Sequence, residues 1–325
     1  MKRILKWVGS FAITLILLIA VFRKVDTGQF LAYLEKAHPL PLLLAILISF
    51  FTNCWLAMAK WRYILNGVGL RLSFREVFLI KMGCLPLKSA LPLRAGEVSR
   101  IIYLKRRHDF SSAKSTASVL LELFSNLLVF SLYVMVGGLA LKTNPGGIAY
   151  FILLFLGLAI SLIYLASRPA SRAAIARLLD KFPSPKIRGG LITLLTIHRY
   201  YSYSRLFNIF IYSLIIQSGK LITFYLITLS FNFTLPLSAY LVLLPLSVLI
   251  ATVPITFLGL GLREYSLTEL ITLTTAAPAA PVLGAALFFS LVEYIFPVIL
   301  GFFWMGSFTA RMIGGKTTAG NVKRR

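Results

Sequence analysis

Residues 85–100 read LPLKSALPLRAGEVSR, and they decide how the rest of the sequence is interpreted. The stretch lies between apolar segments, yet it combines prolines, small residues and charges. Pro86 and Pro92 each lack a backbone donor and clash with the preceding helical turn, so they predict a break in the helix. Gly96 and Glu97 follow the second proline four and five residues later. The stretch is therefore not expected to form an ordinary membrane-crossing helix.

A second stretch of the same character occurs at residues 253–267, VPITFLGLGLREYSL. It carries a proline, two glycines, an arginine and a glutamate: Pro254, Gly259, Gly261, Arg263 and Glu264. The interval from Ser73 to Gly96 is 23 residues, and so is the interval from Ser238 to Gly261. These intervals predict a degenerate internal repeat. Broken apolar segments at corresponding places in two halves indicate a transporter's binding site.

The composition is that of a membrane protein. The chain has 325 residues, of which 58% are hydrophobic, and a mean hydropathy of +0.84. A soluble domain could not cover so much apolar surface, and the apolar residues occur in long runs. We therefore predict an all-α, polytopic helix bundle of about eight spans, with re-entrant or broken helices. The net charge is +24. In a membrane protein, an excess of basic residues usually belongs to cytoplasmic loops that face anionic lipid. Nucleic-acid binding is not expected, because the charge is spread between the spans.

The charge pattern predicts a single integral membrane domain, multi-pass in the inner (cytoplasmic) membrane, with both termini cytoplasmic. Its predicted parts are a first span and loop (1–38), a first half (39–166) with a re-entrant hairpin (73–107), a basic cytoplasmic loop (167–204), a second half (205–310) with a broken helix (253–264), and a basic cytoplasmic tail (311–325). After the first span, the predicted spans cover 40–59, 117–141, 148–166, 206–231, 237–257 and 282–308. The sequence KWRY at 60–63 is interpreted as an aromatic and basic interface anchor.

Several ionisable residues fall within apolar spans, where they are costly and mark a pathway or a paired site. Glu122, Glu293 and Lys220 each lie on a polar stripe with helical spacing. The stripes are Ser115, Ser118, Glu122, Ser125 and Asn126; Ser290, Glu293, Tyr294, Pro297 and Gly301; and Ser213, Gln217 and Lys220. We expect these stripes to converge on the two broken segments, with Lys220 facing a glutamate. The alternative is that they only hold the bundle together through hydrogen bonds and ion pairs.

Charged residues at the first break suggest a headgroup site. Arg94, Glu97 and Arg100 are spaced by three, so they share a face if Gly96 begins a helix. Arginines there could bind a phosphate bidentately, assisted by the amino terminus of the helix. Arg263 beside Glu264 would be the counterpart, and the alternative for such residues is a self-neutralising surface ion pair.

No catalytic or metal motif accompanies these charges. Cys54 and Cys84 belong to no metal spacing or disulfide framework, and the three histidines are far apart. We therefore expect no catalytic residues, metal or cofactor.

The motifs resemble one known family. They are P-x-x-x-G-E at 92–97 with Arg100, the glutamate helix around Glu122, and P-x-x-x-x-G-x-G-x-R-E at 254–264. Over residues 40–308 the sequence resembles the lysylphosphatidylglycerol synthase transmembrane-region family. In bifunctional aminoacyl-phospholipid synthases this region is the flippase, followed by a soluble aminoacyl-transferase domain. The resemblance therefore implies lipid translocation, and lipid lysylation is not expected because the sequence printed here carries no such domain.

Three hypotheses follow for the function. The first is a flippase that moves an anionic phospholipid or polyprenyl-linked lipid between leaflets. The second is a membrane-embedded lipid-modifying enzyme with Glu122 or Glu293 as general base. The third is an accessory scaffold of a lipid or polysaccharide synthase, with lipid or glycan biosynthesis enzymes as partners. Membrane lipids with anionic headgroups are the expected ligands in the first hypothesis, and the oligomeric state is left open.

Overall fold

The computed structural model describes residues 28, 32–33, 35–90, 96–140, 201–252, 256 and 259–314. Within these residues the regular structure is entirely helical, and no strand occurs. The predicted all-α class is confirmed. The predicted first span and the predicted span at 148–166 lie outside the described residues, as do Pro92, Arg94, Pro254 and most of the basic loop.

Four helices are long and apolar enough to cross a membrane. They are α1 (Pro39–Gly67), α4 (Ser112–Ala140), α5 (Tyr203–Ser230) and α8 (Ala279–Ile313). Each has 28 to 35 residues, whereas about 20 suffice to span the hydrocarbon core. The chain is therefore a multi-pass membrane protein. The predicted spans at 40–59, 117–141, 206–231 and 282–308 are confirmed, and each corresponds to one of these helices.

Four shorter helices form two pairs. The first pair is α2 (Phe74–Ala90) and α3 (Gly96–His108), and the second is α6 (Leu237–Ile250) and α7 (Leu262–Thr275). The helices of each pair pack against each other. At about 1.5 Å per residue, all four are shorter than the hydrocarbon core of about 30 Å. The predicted sixth span at 237–257 is wrong in its extent, because its helix ends at Ile250.

Pro86 does not interrupt the first stretch. It lies inside α2, which extends to Ala90, and α3 covers Gly96–His108. The predicted break at Pro92 lies outside the described residues. Proline frees the carbonyl four residues earlier, which here belongs to Met82. Gly301 of α8 lies against this place, since a Cβ on Gly301 would be 2.7 Å from the Met82 oxygen and 2.9 Å from Pro86 Cδ. Close packing of a glycine against the irregular turn explains how the proline is accommodated inside the helix.

The chain forms two compact units, each built from three segments of sequence. The first unit consists of Met1–Ala57, Asn126–Gly157 and Tyr212–Pro297, and the second of Met58–Ser125, Leu158–Ile211 and Val298–Arg325. The pair α6–α7 lies in the first unit and the pair α2–α3 in the second. Each unit therefore contains one of the two broken segments that the sequence singles out.

Polar contacts and close helix packing hold the first unit together. The Ser230 hydroxyl at the end of α5 donates to the His38 carbonyl before α1 at 2.7 Å. Further along the same two helices, Gly219 lies directly against the Thr52 side chain, so the helices approach closely there. Small residues at helix contacts allow such an approach in membrane proteins.

Aromatic packing holds the pair α2–α3 against α8 in the second unit. The rings of Tyr103 and Phe308 are stacked with centroids 5.2 Å apart. Phe78 meets Trp304 edge to face at 5.1 Å. Aromatic contacts of this kind stabilise the fold by more than the apolar area that they bury would predict. They fix the short pair of helices onto a long one.

The predicted interface anchor at 60–63 is wrong for two of its members. Lys60 is 1% exposed and Trp61 is 0% exposed, and the helix continues six residues beyond them to Gly67. An interface anchor needs its polar end in water. Lys60 instead lies inside the second unit, where it belongs to a cluster of charges.

A polar contact joins the beginning of α2 to the end of α3. Glu76 Oε1 lies 2.8 Å from His108 Nε2 and accepts a hydrogen bond from the Tyr103 hydroxyl at 3.2 Å. The pKa of Glu76 is lower than its ordinary value of 4.5, mainly because of the hydrogen bond with His108. Burial of the carboxyl group raises this pKa, but the positive charge of His108 lowers it further. Burial of the phenol raises the pKa of Tyr103 to about 12, and the negative charge of Glu76 contributes to the same shift. Both shifts favour a charged Glu76 beside a neutral phenol.

This contact predicts an acid-sensitive stability. Because the folded-state pKa of Glu76 is depressed, its contribution is present above pH 4.5 and is lost as the pH falls through the lower folded value. We expect wild type to be more stable than Glu76→Gln at pH 7, with the difference shrinking below pH 4.5. Thermal unfolding in detergent across this range measures it. Glu35→Gln, at an exposed carboxylate, is the control, and an unchanged difference at low pH would contradict the assignment.

Candidate functional site

Glu122 lies at the centre of a charged cluster in the second unit. Its Oε1 accepts a hydrogen bond from Lys81 Nζ at 2.5 Å, and its Oε2 accepts one from Arg100 Nη1 at 2.9 Å. Lys60 Nζ donates to the Glu122 backbone carbonyl at 3.4 Å. Three cations thus surround one carboxylate in the middle of a candidate membrane span. Such a buried carboxylate is tolerated only when it is paired.

Glu97 extends this cluster towards the surface. Its Oε1 lies 2.8 Å from Lys88 Nζ, and its Oε2 pairs with Arg100 Nη2. Arg100 therefore bridges two carboxylates, and its guanidinium also lies over the Trp61 ring, 4.9 Å from the centroid. The Lys88 side chain is 35% exposed, whereas that of Arg100 is 3% exposed. Lys88 is the member of these pairs that is most accessible from outside.

The sequence brings these residues together through helical spacing and one glycine. Lys81 and Lys88 are seven residues apart on α2, and Glu97 and Arg100 are three apart on α3, so each pair shares a face. A Cβ on Gly96 would overlap the backbone of Lys88. Only glycine allows α3 to begin so close to α2. That close approach brings Glu97 within reach of Lys88.

The cluster carries more positive than negative charge. Among the described residues it contains four cations, Lys60, Lys81, Lys88 and Arg100, and two carboxylates, Glu97 and Glu122. The buried Arg100 Nε also has no hydrogen-bond partner in the described part of the chain. A buried donor without an acceptor is costly. This part of the cluster can therefore bind an additional acceptor, such as an oxygen of an anionic group.

The first unit contains a second cluster, built around Glu293. Its Oε2 accepts a hydrogen bond from Asn53 Nδ2 at 2.9 Å and lies 3.6 Å from Lys220 Nζ. The prediction that Lys220 faces a glutamate is confirmed. The Glu293 side chain is 0% exposed, and its Oε1 has no hydrogen-bond partner among the residues described.

Both partners of the Asn53–Glu293 contact lie in irregular helical segments. Asn53 is in a π-helical segment of α1, Phe51–Leu56, and Glu293 is in one of α8, Leu291–Ile295. A π-helical turn displaces side chains from the normal helical register and is frequent at functional sites. These two segments place a polar pair between apolar helices.

Arg263 and Glu264 complete the cluster of the first unit. The Arg263 guanidinium lies 3.5 Å from the centroid of the Tyr294 ring, and its Nε donates to Ser290 Oγ at 3.0 Å. Glu264 Oε1 accepts hydrogen bonds from Ser290 and from Arg263 Nη2. Both charged side chains are buried, so the alternative of a surface ion pair is wrong. With Lys220 and Glu293 included, this described cluster has two cations and two carboxylates.

Glycines shape the break before α7. Gly259 and Gly261 have φ angles of 73° and 79°, a conformation that glycine adopts at little cost. The Gly261 N–H donates to Glu264 Oε2 at 2.5 Å. Glu264 therefore caps the first turn of α7, as a carboxylate at this position often does. One of the predicted site residues thus has a clear structural role.

Most residues of the polar stripe on α4 do not belong to a charged cluster. Ser115, Ser118 and Ser125 are buried, but their hydroxyls donate to backbone carbonyls three or four residues earlier in the chain. Such bonds satisfy the hydroxyl locally and leave no need for a ligand. Asn126 is half-buried on α4 and belongs to the first unit, whereas Glu122 belongs to the second.

The structure groups ten of the twelve predicted site residues at or beside the two clusters. Arg94 lies outside the described residues, and Asn126 is the other exception. Sequence reasoning did not select Lys60, Lys81, Lys88, Asn53 or Trp61 for the site. The seven-residue spacing of Lys81 and Lys88 was a usable signal, because it places both on the face of α2 that meets Arg100. No group of three or more His, Cys, Asp or Glu side chains that could bind a metal occurs in the described ranges.

Comparison with known proteins identifies the family. The family model for the lysylphosphatidylglycerol synthase TM region matches residues 7–301, which is most of the chain. The match begins well before residue 40, where the resemblance in the motifs begins. Among curated proteins, none matches the sequence significantly. The two charged clusters both lie within the matched residues, and the chain belongs to the lysylphosphatidylglycerol synthase TM region family.

Proposed function

We propose that this protein is a lipid flippase that moves an anionic phospholipid or a polyprenyl-linked lipid between the leaflets of the inner membrane. The observation that carries the proposal is the buried cluster of charged side chains around Glu122 and Glu97 in the second unit. A charged headgroup cannot cross hydrocarbon unaided, and charges inside the protein reduce that cost. Membership in a family of lipid-associated membrane proteins supports the proposal.

The arrangement suggests where the headgroup first binds. Lys88 is the accessible end of the cluster, and Arg100 is its buried end. In the proposed topology both termini and the α2–α3 pair are on the cytoplasmic side. The headgroup would therefore reach Lys88 from the cytoplasmic leaflet, while the lipid tails stay in the bilayer.

The state of Glu122 argues against its use as a general base. A general base needs a carboxylate oxygen that can accept a proton from the substrate. Both Glu122 oxygens are already bound, one by Lys81 and one by Arg100. We therefore propose that Glu122 orders the cations and takes no part in bond breaking. No cofactor is required for this role, and lipids are the proposed partners.

Leaflet exchange in liposomes tests the proposal. Purified protein is reconstituted with a fluorescent anionic phospholipid, and dithionite reports the fraction that reaches the outer leaflet. Wild type should accelerate exchange, and Lys88→Gln should slow it by about tenfold, the effect of losing one charge-assisted contact worth about 1.4 kcal/mol. Lys105→Gln is the matched control, because Lys105 is an exposed cation of α3 outside the cluster.

Two results would contradict the proposal in different ways. No acceleration by wild type would reject the flippase and favour the scaffold hypothesis. Equal acceleration by wild type, Lys88→Gln and Lys105→Gln would retain exchange but remove the cluster as its site.

A further inference from the structure

Building on the proposed function, we propose that Lys220 and Glu293 of the first unit form a proton-binding site, and that lipid movement is coupled to the proton bound there. The ligand is a single proton, taken up from water and held by the carboxyl group of Glu293. The juxtaposition that carries this inference is a partly accessible lysine beside a fully buried carboxylate that has one unpaired oxygen.

The first argument is the unequal environment of the two Glu293 oxygens. Oε2 accepts a hydrogen bond from Asn53 Nδ2 at 2.9 Å, and Lys220 Nζ lies 3.6 Å from it. Oε1 has no hydrogen-bond partner among the described residues, although the side chain is 0% exposed. A buried charged oxygen without a donor is costly. A proton on Glu293 removes that cost and, unlike a metal ion or a headgroup, it requires no cavity.

The second argument is that the ion pair is loose at the Lys220 end. The separation of 3.6 Å is longer than a hydrogen bond, and the Lys220 side chain is 16% exposed. The Lys220 ammonium also lies 5.4 Å from the centroid of the Tyr294 ring, within the range of a cation–π contact. The Lys220 charge therefore keeps a stabilising contact when Glu293 is neutralised. Its exposed fraction makes Lys220 the member of the pair through which a proton enters.

The proton reaches Glu293 in two balanced steps. An N–H bond of Lys220 breaks and an O–H bond forms on the Glu293 carboxylate, which leaves a neutral amine and a neutral carboxyl group. The amine then takes a proton from water, so the pair gains one proton and one positive charge. A protonated carboxyl group also needs an acceptor. Gln217 Oε1, three residues before Lys220 on the same face of α5, is buried and has no hydrogen-bond partner in the described part of the chain.

The third argument is the contrast with the other ion pair of the same cluster. Both oxygens of Glu264 accept hydrogen bonds, and Arg263 Nε donates to Ser290 Oγ at 3.0 Å. Arginine does not lose its proton in proteins. That pair is therefore fixed in charge, whereas the pair of Lys220 and Glu293 can change its charge. Among the described residues of the first unit, the titratable and charged groups of the cluster around Glu293 are Lys220 on α5, Tyr294 on α8, and Arg263 and Glu264 on α7, and the contact from α1 is the neutral Asn53.

Infrared difference spectroscopy tests proton binding without relying on lipid exchange. Spectra of the detergent-solubilised protein are recorded from about pH 8 to about pH 4, and the C=O stretching band reports a protonated carboxyl group. We expect wild type to show the band of a carboxyl group shielded from water, and Glu293→Gln to lack it. Glu35→Gln, at an exposed carboxylate of the first unit, is the matched control and should retain the band.

A second variant identifies the partner of the carboxyl group. Lys220→Gln removes the cation that favours a charged Glu293, so the band should appear at a higher pH than in wild type. This variant keeps Glu293 and its contact with Asn53 in place. A band at the same pH as in wild type would overturn the assignment of the site to this pair.

A pH difference across liposomes tests the coupling. The labelled anionic lipid is allowed to reach a steady distribution between the leaflets, with equal pH on both sides or with a difference of about one unit. If one proton moves per lipid, this difference biases the distribution by up to about tenfold. We expect such a bias with wild type and with Glu35→Gln, and none with Glu293→Gln.

The remaining outcomes separate this inference from the proposed function. A missing band in wild type, or the same band in Glu293→Gln, would overturn the inference even if liposomes show lipid exchange. Exchange without any bias under a pH difference would also overturn the inference and leave the flippase intact. A band that depends on Glu293, without any lipid exchange, would support the proton site and reject the flippase.

Discussion

Replacing Glu122 by Gln should destabilise the protein by about 3–5 kcal/mol, the usual cost of breaking a buried ion pair by removing one partner. The carboxylate compensates Lys81 and Arg100 directly, and Lys60 lies against its backbone carbonyl. Glutamine has nearly the same shape, so the loss is electrostatic rather than steric. The surplus of the described cluster would rise from two to three. Thermal unfolding of the purified protein in detergent measures the change.

A second substitution distinguishes charge from packing in this prediction. Adding Lys81→Gln to Glu122→Gln restores the original surplus, so the double variant should be more stable than Glu122→Gln alone. Glu35→Gln, at an exposed carboxylate, should have almost no effect. If the double variant were less stable than either single variant by the full sum of their losses, the two side chains would not interact.

Replacing Gly96 by Ala should separate α2 from α3 and abolish the contact of Lys88 with Glu97. A methyl group at position 96 would overlap the backbone nitrogen and Cα of Lys88, and backbone atoms cannot move aside as a flexible side chain can. Overpacking of this kind costs about 1–3 kcal/mol, and more where the backbone must shift. We expect a lower unfolding temperature together with loss of the lipid exchange assigned to the cluster.

The same substitution elsewhere in the second unit provides the control. Gly306 lies in α8, and a Cβ there would meet nothing within 4 Å. Alanine in a helix interior is about 0.5–1 kcal/mol better than glycine, so Gly306→Ala should be neutral or stabilising. Equal effects of the two substitutions would show that the close approach at Gly96 does not matter.

The clusters also show where sequence reasoning reached its limit. Glu122, Glu293 and Lys220 were predicted to be paired because an ionisable residue inside an apolar run is costly wherever the run lies. Lys60 was interpreted as part of an interface anchor, since a lysine at the end of an apolar run usually faces water or lipid headgroups. Lys60 is nevertheless buried beside Glu122, 62 residues away in sequence. Local pattern alone does not distinguish these two environments.

Pro86 illustrates the same limit for the backbone. A proline is expected to break a helix, and the sequence therefore predicted that residues 85–100 do not form a continuous helix. The helix instead continues through Pro86, where Gly301 of α8 packs against the irregular turn. The contact joins residues more than two hundred positions apart. The effect of a proline thus depends on a neighbour that no local window contains.

The sequence by itself determined the all-α membrane class, the four long helices among the described residues, the break before α7 and the family, because these depend on hydropathy, helical period and the local chemistry of proline and glycine. Only the tertiary structure decided which cation meets which carboxylate. Ion pairs such as Lys81–Glu122 and Lys220–Glu293 join helices that are distant in sequence, and their partners depend on how those helices pack. The surplus of positive charge around Glu122 is a property of that packing, since the same residues written in order show only a basic chain with few acids.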